Sequence, residues 1–185
     1  AWFCEELALP YRRIDTGGAF GMDAAYLAKN PNALIPTIED GDLILWESNA
    51  ILRYLAGKYD AAGQFWPQDP VDRALADRWM DWQFAYATAQ FDAFVNLIRK
   101  APADRDAQAI ARSAERTAKL MAILNRHLSE QPWLSGQRFG IGDVPMGVYA
   151  HTWFSLDIDR PTLPNVADWY ERLKARPGYV ANVMI

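Results

Sequence analysis

The stretches NPNALIPTI at residues 30–38 and ESNAI at residues 47–51 decide the fold of this 185-residue chain. Pro36 interrupts an apolar run, and because a proline cannot donate to a sheet ladder, it predicts the entrance of a strand rather than its middle. Residues 40–42 read Asp-Gly-Asp, and Asp-Gly between two apolar runs is typical of a hairpin. Ser48 precedes apolar residues at helical spacing and is expected to cap a helix. The pattern therefore predicts strand, tight turn, strand, helix.

The spacing of the two stretches points to a known family. Asn-Pro-x-x-x-Ile-Pro-Thr, followed about ten residues later by Glu-Ser-x-Ala-Ile, resembles the glutathione-binding half of a cytosolic glutathione S-transferase of the bacterial theta- or beta-like kind. The resemblance extends over nearly the whole chain. It implies an α/β thioredoxin-like N-terminal domain followed by an all-α helical bundle domain. Small residues, a glycine and two prolines predict a linker at residues 61–70, between domains at residues 1–60 and 71–185.

The resemblance implies that reduced glutathione is bound as a co-substrate. In relatives the Ile-Pro bond is cis, which implies the same for Ile35–Pro36 and frees the Ile35 N–H and C=O to pair with the cysteinyl unit. Free N–H groups and the positive dipole end at a helix start favour an anion. Ser48 is thus expected to bind the γ-glutamyl carboxylate and Glu47 the ammonium group beside it. From the residues alone, an ordinary strand end at Pro36 and an ordinary helix cap at Ser48 remain open.

Two positions depart from the family pattern. Ala33 and Leu34 stand where many relatives carry a basic or hydrogen-bonding side chain, so a contact to the glycyl carboxylate of the ligand is missing or supplied elsewhere. Asn49 stands where arginine or glutamine is frequent. Both departures are expected to change affinity more than the mode of binding.

The catalytic residue is not identified by the sequence. Residues 1–9 predict a helix that Pro10 ends. The family pattern places a strand and a Ser-, Cys- or Tyr-bearing loop before this helix, so the catalytic side chain is expected upstream of residue 1. Cys4 has apolar neighbours within the helix and is expected to be buried and inert. Tyr11 is expected to begin a strand at residues 11–15, after the helix, and so does not match a catalytic tyrosine of the family.

The remainder of the chain carries a helical pattern. Apolar residues recur at steps of three and four along residues 71–97 and again along residues 110–128, which predicts two long helices packed antiparallel. Trp82 and Tyr86 on the first helix, with Trp153 opposite, are expected to line a second-substrate pocket between the domains. Core packing is the alternative for each of these three aromatic residues.

A second family-like motif lies at residues 139–143. Relatives carry Ser or Thr, two further residues, then Asp, which together form the capping box of a buried helix. Gly140 stands at the capping position here, so half of the box is expected to be lost at a small cost. Asp143 is expected to serve the helix start in a purely structural role.

Composition excludes several other classes of function. The net charge is −4 and no basic cluster with interleaved aromatics is present, so the chain has no general reason to bind nucleic acid or an anionic membrane. No apolar run approaches membrane-spanning length. The single cysteine excludes an intrachain disulfide framework and suits a reducing, cytoplasmic location. Two distant histidines do not predict a metal site.

The sequence therefore predicts a glutathione transferase. It would add the glutathione thiolate to a small, apolar electrophile, as in detoxification, and would form a homodimer as its relatives do. If the loop expected upstream carries cysteine, glutathione-dependent thiol-disulfide exchange becomes the better hypothesis. A third hypothesis is a protein that binds glutathione without turnover.

Overall fold

The computed structural model describes residues 1–185, and its first part is a small α/β unit. Its elements in chain order are α1 (Trp2–Glu6), α2 (Ala24–Lys29), β1 (Thr37–Asp40), β2 (Leu43–Trp46) and α3 (Ser48–Tyr59). Strands β1 and β2 pair antiparallel, with Thr37 opposite Trp46 and Asp40 opposite Leu43. The order of strand, turn, strand and helix predicted from the sequence is confirmed.

Gly41 forms the hairpin turn with a φ of +61°, a left-handed value that glycine adopts without a Cβ clash. Asp40, the last residue of β1, ties the hairpin to α3. Its Oδ2 accepts hydrogen bonds from Lys58 Nζ (2.8 Å), Tyr59 Oη (2.6 Å) and Tyr54 Oη (2.8 Å). These bonds, that of the Lys58 ammonium above all, lower the pKa of Asp40 to about 2.

Residues 11–15 do not form the predicted strand. They are exposed, and none of their backbone groups makes a hydrogen bond within the chain. A strand forms only where a neighbouring strand completes its ladder, and the sheet consists of β1 and β2 alone. The first helix is also shorter than predicted, since α1 ends at Glu6 and Ala8 adopts a left-handed backbone with a φ of +51°.

The second part of the chain is helical throughout. Its helices are α4 (Pro70–Phe94), α5 (Ala107–His127), α6 (Asp143–Ser155), α7 (Pro164–Lys174) and α8 (Pro177–Val183). A π-helical segment, Val95–Arg99, extends α4, and a short 3-10 turn, Pro102–Asp104, leads into α5. No helix is both long and apolar enough to cross a membrane.

Helices α4 and α5 pack antiparallel, as predicted. Near the start of α5, Ser113 Oγ donates to the Ala89 carbonyl (2.6 Å) and accepts from the Ala93 N–H (3.2 Å), both late in α4. At the other end, the ring of His127 lies 4.9 Å from that of Trp79, early in α4. The end of one helix therefore meets the start of the other.

One continuous core joins the two parts of the chain. Trp2 on α1 packs against Tyr179 on α8, with ring centroids 4.9 Å apart. Glu6 accepts from Trp2 Nε1 (2.7 Å) and from Arg176 Nε (2.9 Å), so an ion pair that is largely buried closes this contact. Phe65, within the predicted linker, belongs to the same core. The domain division at residues 61–70 stays a prediction.

Helix α6 begins at Asp143 with Gly142 as its capping residue, so the predicted cap at Gly140 is wrong by two positions. Asp143 Oδ2 accepts from the Gly140 N–H (3.1 Å), and Gly142 N–H donates to the hydroxyl of Ser135 (3.0 Å). The Asp143 N–H, which a hydroxyl at position 140 would accept in a capping box, bonds the Gly140 carbonyl instead (3.0 Å), while Ser135 serves the neighbouring N–H of Gly142. A Cβ at Gly140 would lie 2.6 Å from the carbonyl oxygen of Phe65, so only glycine fits there.

Asp143 itself is fully buried. Its two oxygens also accept from the Leu134 N–H (2.8 Å), the Ser135 N–H (3.2 Å) and Trp169 Nε1 (2.9 Å). Burial raises the pKa of Asp143 above its ordinary value, and the hydrogen bonds oppose that shift. The carboxylate holds the segment at residues 134–140 and α7 against the start of α6.

We expect Asp143→Asn to lower the free energy of unfolding by about 2–3 kcal/mol, because an amide NH2 cannot accept the N–H groups that now meet one of the oxygens. Urea unfolding followed by circular dichroism measures this. Asp168→Asn, at an exposed position of α7, is the control and should change stability by less than about 0.5 kcal/mol. Equal losses in the two variants would contradict the assigned role.

Candidate functional site

The buried side chain of Asn30 organises the segment that leads into β1. Its Nδ2 donates to the Leu34 carbonyl (2.8 Å) and to Thr37 Oγ1 (3.1 Å), and its Oδ1 accepts from the Asn32 N–H (3.1 Å). The hydroxyl of Tyr26 also donates to the Leu34 carbonyl. The sequence analysis used the Asn30-Pro31 pair as part of a motif but did not predict these hydrogen bonds of the Asn30 side chain. The signal was an asparagine at a turn, whose amide can bond nearby backbone.

Ile35 follows this turn and presents its backbone to the surface. The Ile35–Pro36 bond is cis, as predicted. The Ile35 residue is 62% exposed, and neither its N–H nor its C=O makes a hydrogen bond within the chain. One donor and one acceptor therefore stand free just before β1 begins at Thr37.

The start of α3 supplies a second set of free groups. Glu47, not Ser48, is the capping residue, so the predicted cap is wrong by one position. The reason is that Glu47 takes the non-helical backbone, with φ +75° and ψ +112°, while Ser48 is already helical. The backbone N–H groups of Ser48, Asn49 and Ala50 have no acceptor within the chain. This helix start therefore carries unpaired donors and a positive partial charge.

A small pocket brings these groups together. It has a volume of about 70 Å³ and contains all four of the residues predicted to bind glutathione. Its lining consists of Asn30, Asn32, Leu34, Ile35, Pro36, Glu47 and Ser48. The arrangement offers a backbone edge on one side and an anion-binding helix start on the other. It suits a short extended peptide with a terminal carboxylate.

The three aromatic residues predicted for a second-substrate pocket lie elsewhere. Tyr86 and Trp153 are 0% and 1% exposed within the core, and Trp82 is half-buried against Trp79, at 5.4 Å between ring centroids. Burial raises the pKa of Tyr86. None of the three lines the small pocket. Their contact with a second substrate stays a prediction.

The remaining reactive side chains do not join the site. Cys4 is half-buried on α1, and burial raises the pKa of its thiol, which lowers its nucleophilicity. His151 Nδ1 lies 2.8 Å from the hydroxyl of Tyr170. The structure contains no group of three or more His, Cys, Asp or Glu side chains placed to hold a metal ion.

Comparison with known families identifies the class of protein to which this site belongs. The family model for the N-terminal domain of glutathione S-transferase matches residues 1–57, and the model for its C-terminal domain matches residues 107–172. Glutathione S-transferase GstB of Escherichia coli K12 is 40% identical over 186 residues, which span 98% of this chain and 89% of that protein. The chain therefore belongs to the glutathione S-transferase family.

Further relatives agree with this family. The theta class glutathione S-transferase from Xanthomonas axonopodis pv. citri with glutathione bound has a TM-score of 0.94 at 45% identity, covering 100% of this chain and 89% of that one. The apo form of the same protein gives 0.85. Disulfide-bond oxidoreductase YfcG of Escherichia coli K12 is 32% identical over 185 residues, spanning 95% of this chain and 84% of that protein. The chain has the glutathione S-transferase fold.

We expect Asn30→Ala to loosen the segment at residues 31–38, because the carbonyl of Leu34 and the N–H of Asn32 each lose a buried partner. The free energy of unfolding should fall by about 1–3 kcal/mol, and backbone amides of this segment should exchange faster with deuterium. Arg12→Ala, at an exposed position outside this hydrogen-bond network, is the control and should change neither quantity. Unchanged exchange in Asn30→Ala would show that the segment holds its shape without that side chain.

Proposed function

We propose that this protein binds reduced glutathione in the small pocket between Ile35–Pro36 and the start of α3. There it adds the glutathione thiolate to a small, apolar electrophile in the cytoplasm, where thiols stay reduced. The observation that carries the proposal is the convergence of the unpaired Ile35 backbone with the free N–H groups of α3 on one pocket. The family and the glutathione-bound Xanthomonas relative support the choice of ligand.

Each part of the tripeptide has a matching group in this proposal. The cysteinyl unit pairs with the N–H and C=O of Ile35 as an added strand would. The γ-glutamyl carboxylate accepts from the N–H and hydroxyl of Ser48, and Glu47 accepts from the ammonium group beside it. The left-handed backbone of Glu47 supports a functional role, because such strain costs about 1–3 kcal/mol and is concentrated at binding sites.

The glycyl carboxylate needs a donor that the Ala33-Leu34 pair does not supply. Asn32 lines the pocket, and its Nδ2 donates one hydrogen bond, to Asn30 Oδ1 at 3.1 Å. An amide nitrogen has two hydrogens, so the second remains for a ligand. We assign the glycyl carboxylate to Asn32 on that ground.

Transfer needs the thiol to lose its proton before it reacts. The glutathione S–H bond gives its proton to solvent, and the thiolate electron pair forms the C–S bond. The electrophile either expels a leaving group with its bonding pair or, where the thiolate adds to a double bond, takes a proton from solvent at the carbon that receives the π electrons. A hydroxyl or thiol donor, which precedes α1 in the family pattern, would stabilise the thiolate by hydrogen bonding. The residues described above hold the tripeptide in position for the attack.

Thiol-disulfide exchange is the second candidate function, favoured by the 32% identity to disulfide-bond oxidoreductase YfcG. It would use the same pocket, with the thiolate attacking sulfur instead of carbon. Assays of the full-length protein with glutathione and either an aryl halide or a small disulfide separate the two reactions. Turnover of the halide alone supports transfer, turnover of the disulfide alone supports exchange, and binding without either supports a protein that only holds glutathione.

We expect Glu47→Ala to weaken glutathione binding by about 1–3 kcal/mol, since a charged hydrogen bond to the ammonium group is lost. Isothermal titration calorimetry measures the dissociation constant. Glu130→Ala removes an exposed carboxylate three residues after the end of α5 and should leave the dissociation constant unchanged. Equal affinity of Glu47→Ala and the wild type would remove Glu47 from the proposed site.

A homodimer is the proposed assembly, and one face of α4 suits it. Phe84 and Phe91 are 53% and 63% exposed and lie seven residues apart, on the same side of the helix. We expect Phe84→Glu with Phe91→Glu to convert a dimer into a monomer at micromolar concentration in analytical sedimentation. Val180→Glu places the same charge on exposed α8 and should leave the dimer intact. A dimer that survives the double change would place the interface elsewhere.

A further inference from the structure

Asn49 joins the start of α3 to the middle of α4. Its Nδ2 donates to the carbonyl oxygen of Met80 (2.7 Å) and lies 3.4 Å from Gln83 Oε1. The residue is only 5% exposed, although it directly follows Ser48, which lines the small pocket. The contact spans the two parts of the chain, since α3 belongs to the α/β unit and α4 to the helical one.

The Asn49 side chain also carries a group that lowers the stability of the fold. Asn49 Oδ1 is buried and has no hydrogen-bond partner, and an unsatisfied buried acceptor lowers stability. An apolar side chain of similar size would fill the same space and remove that unsatisfied acceptor. The Met80 carbonyl lies inside α4 and keeps the partner in its own helix, so only the longer contact with Gln83 Oε1 (3.4 Å) is lost. Packing alone therefore does not account for an amide at this position.

The position of Asn49 connects the contact with the proposed ligand. It is the second residue of α3, directly after Ser48, and its own N–H is one of the three unpaired donors at the helix start. Glu47, on the other side of Ser48, holds a strained backbone. A helix start that carries a strained cap and a set of free donors needs an external support to keep those donors aimed at one point.

We propose that Asn49 is a positioning residue, which fixes the start of α3 against α4 so that the free N–H groups are oriented for the γ-glutamyl carboxylate. The inference rests on the proposed function and deepens it. Asn49 acts through the Met80 carbonyl and the helix backbone, and its side chain does not touch the ligand. The helical unit thereby takes part in glutathione binding without lining the pocket.

The chain offers a matched contact between the same two helices. Arg53, one turn further along α3, pairs with Asp77 (2.7 Å from Nε) and with Asp81 (2.6 Å from Nη2) on α4. This pair also holds α3 to α4 but lies away from the helix start. Removing it with Arg53→Met weakens the docking of the helices and leaves the support at Asn49 in place.

The test compares glutathione binding and thermal stability in four full-length proteins: wild type, Asn49→Leu, Asn49→Ala and Arg53→Met. We expect both Asn49 variants to raise the dissociation constant of glutathione about tenfold or more, while Arg53→Met changes it less than about twofold. Asn49→Leu should keep the melting temperature of the wild type, because the unsatisfied acceptor is removed with the donor. A weaker binding of glutathione at an unchanged melting temperature would then show that Asn49 orients the donors rather than stabilises the fold.

Three results would overturn the inference. Unchanged affinity in Asn49→Leu would show that the amide is not needed for binding. An equal loss in Arg53→Met would show that helix docking in general, rather than support at the helix start, controls affinity. A wild-type protein that does not bind glutathione would overturn the proposed function, and this inference with it, whereas wild-type binding with unaffected Asn49 variants overturns the inference alone.

Discussion

The hydrogen bonds of the Asn30 side chain are the constraint on which the ligand pocket depends. They satisfy the Leu34 carbonyl and Thr37 Oγ1 on either side of Ile35 and leave the backbone of Ile35 itself unpaired. Buried polar groups are almost always paired in folded proteins. This turn follows that rule for Leu34 and Thr37, but leaves the N–H and C=O of Ile35 unpaired at the surface. The same division holds at α3, where the cap residue bonds Ile51 and the next three N–H groups remain free.

Contacts with the helical half of the molecule hold the helices of the α/β unit in place. Helix α1 is held by Arg176 through Glu6, and α3 is held by α4 through Asn49 and Arg53. The sheet has only two strands, and such a sheet is marginally stable by itself. The α/β unit therefore depends on the helices for a fixed shape, and the start of α3 takes its position in part from its contacts with α4.

Local signals in the sequence predicted local structure well. The Asp-Gly turn and the steps of three and four along α4 and α5 each act within a few residues, and the structure has a hairpin and two antiparallel helices where these signals lie. The cis Ile35–Pro36 bond was expected from the family resemblance. Some of the failures depended on distant partners: residues 11–15 needed a neighbouring strand, and the Gly142 N–H before α6 is served by Ser135. Others were local, such as the cap of α3, which falls on Glu47 because of its own backbone. Helical spacing showed that Tyr86 faces inward, but not whether it meets a substrate or the core.

The proposed recognition of glutathione through backbone groups points to a ligand more sharply than to a reaction. Backbone groups, such as the N–H and C=O of Ile35 and the N–H groups of α3, are present whatever the side chains. A family can therefore keep its binding of a tripeptide while its sequence changes. Transfer to carbon and exchange with a disulfide both begin with a thiolate. The two reactions differ in the atom that the thiolate attacks. Which of them occurs is governed by the group that stabilises the thiolate and by the shape of the space for the second substrate. In the proposed site the residues that hold the two ends of the tripeptide serve either reaction, and the relatives of this chain include one named as a transferase and one named as an oxidoreductase.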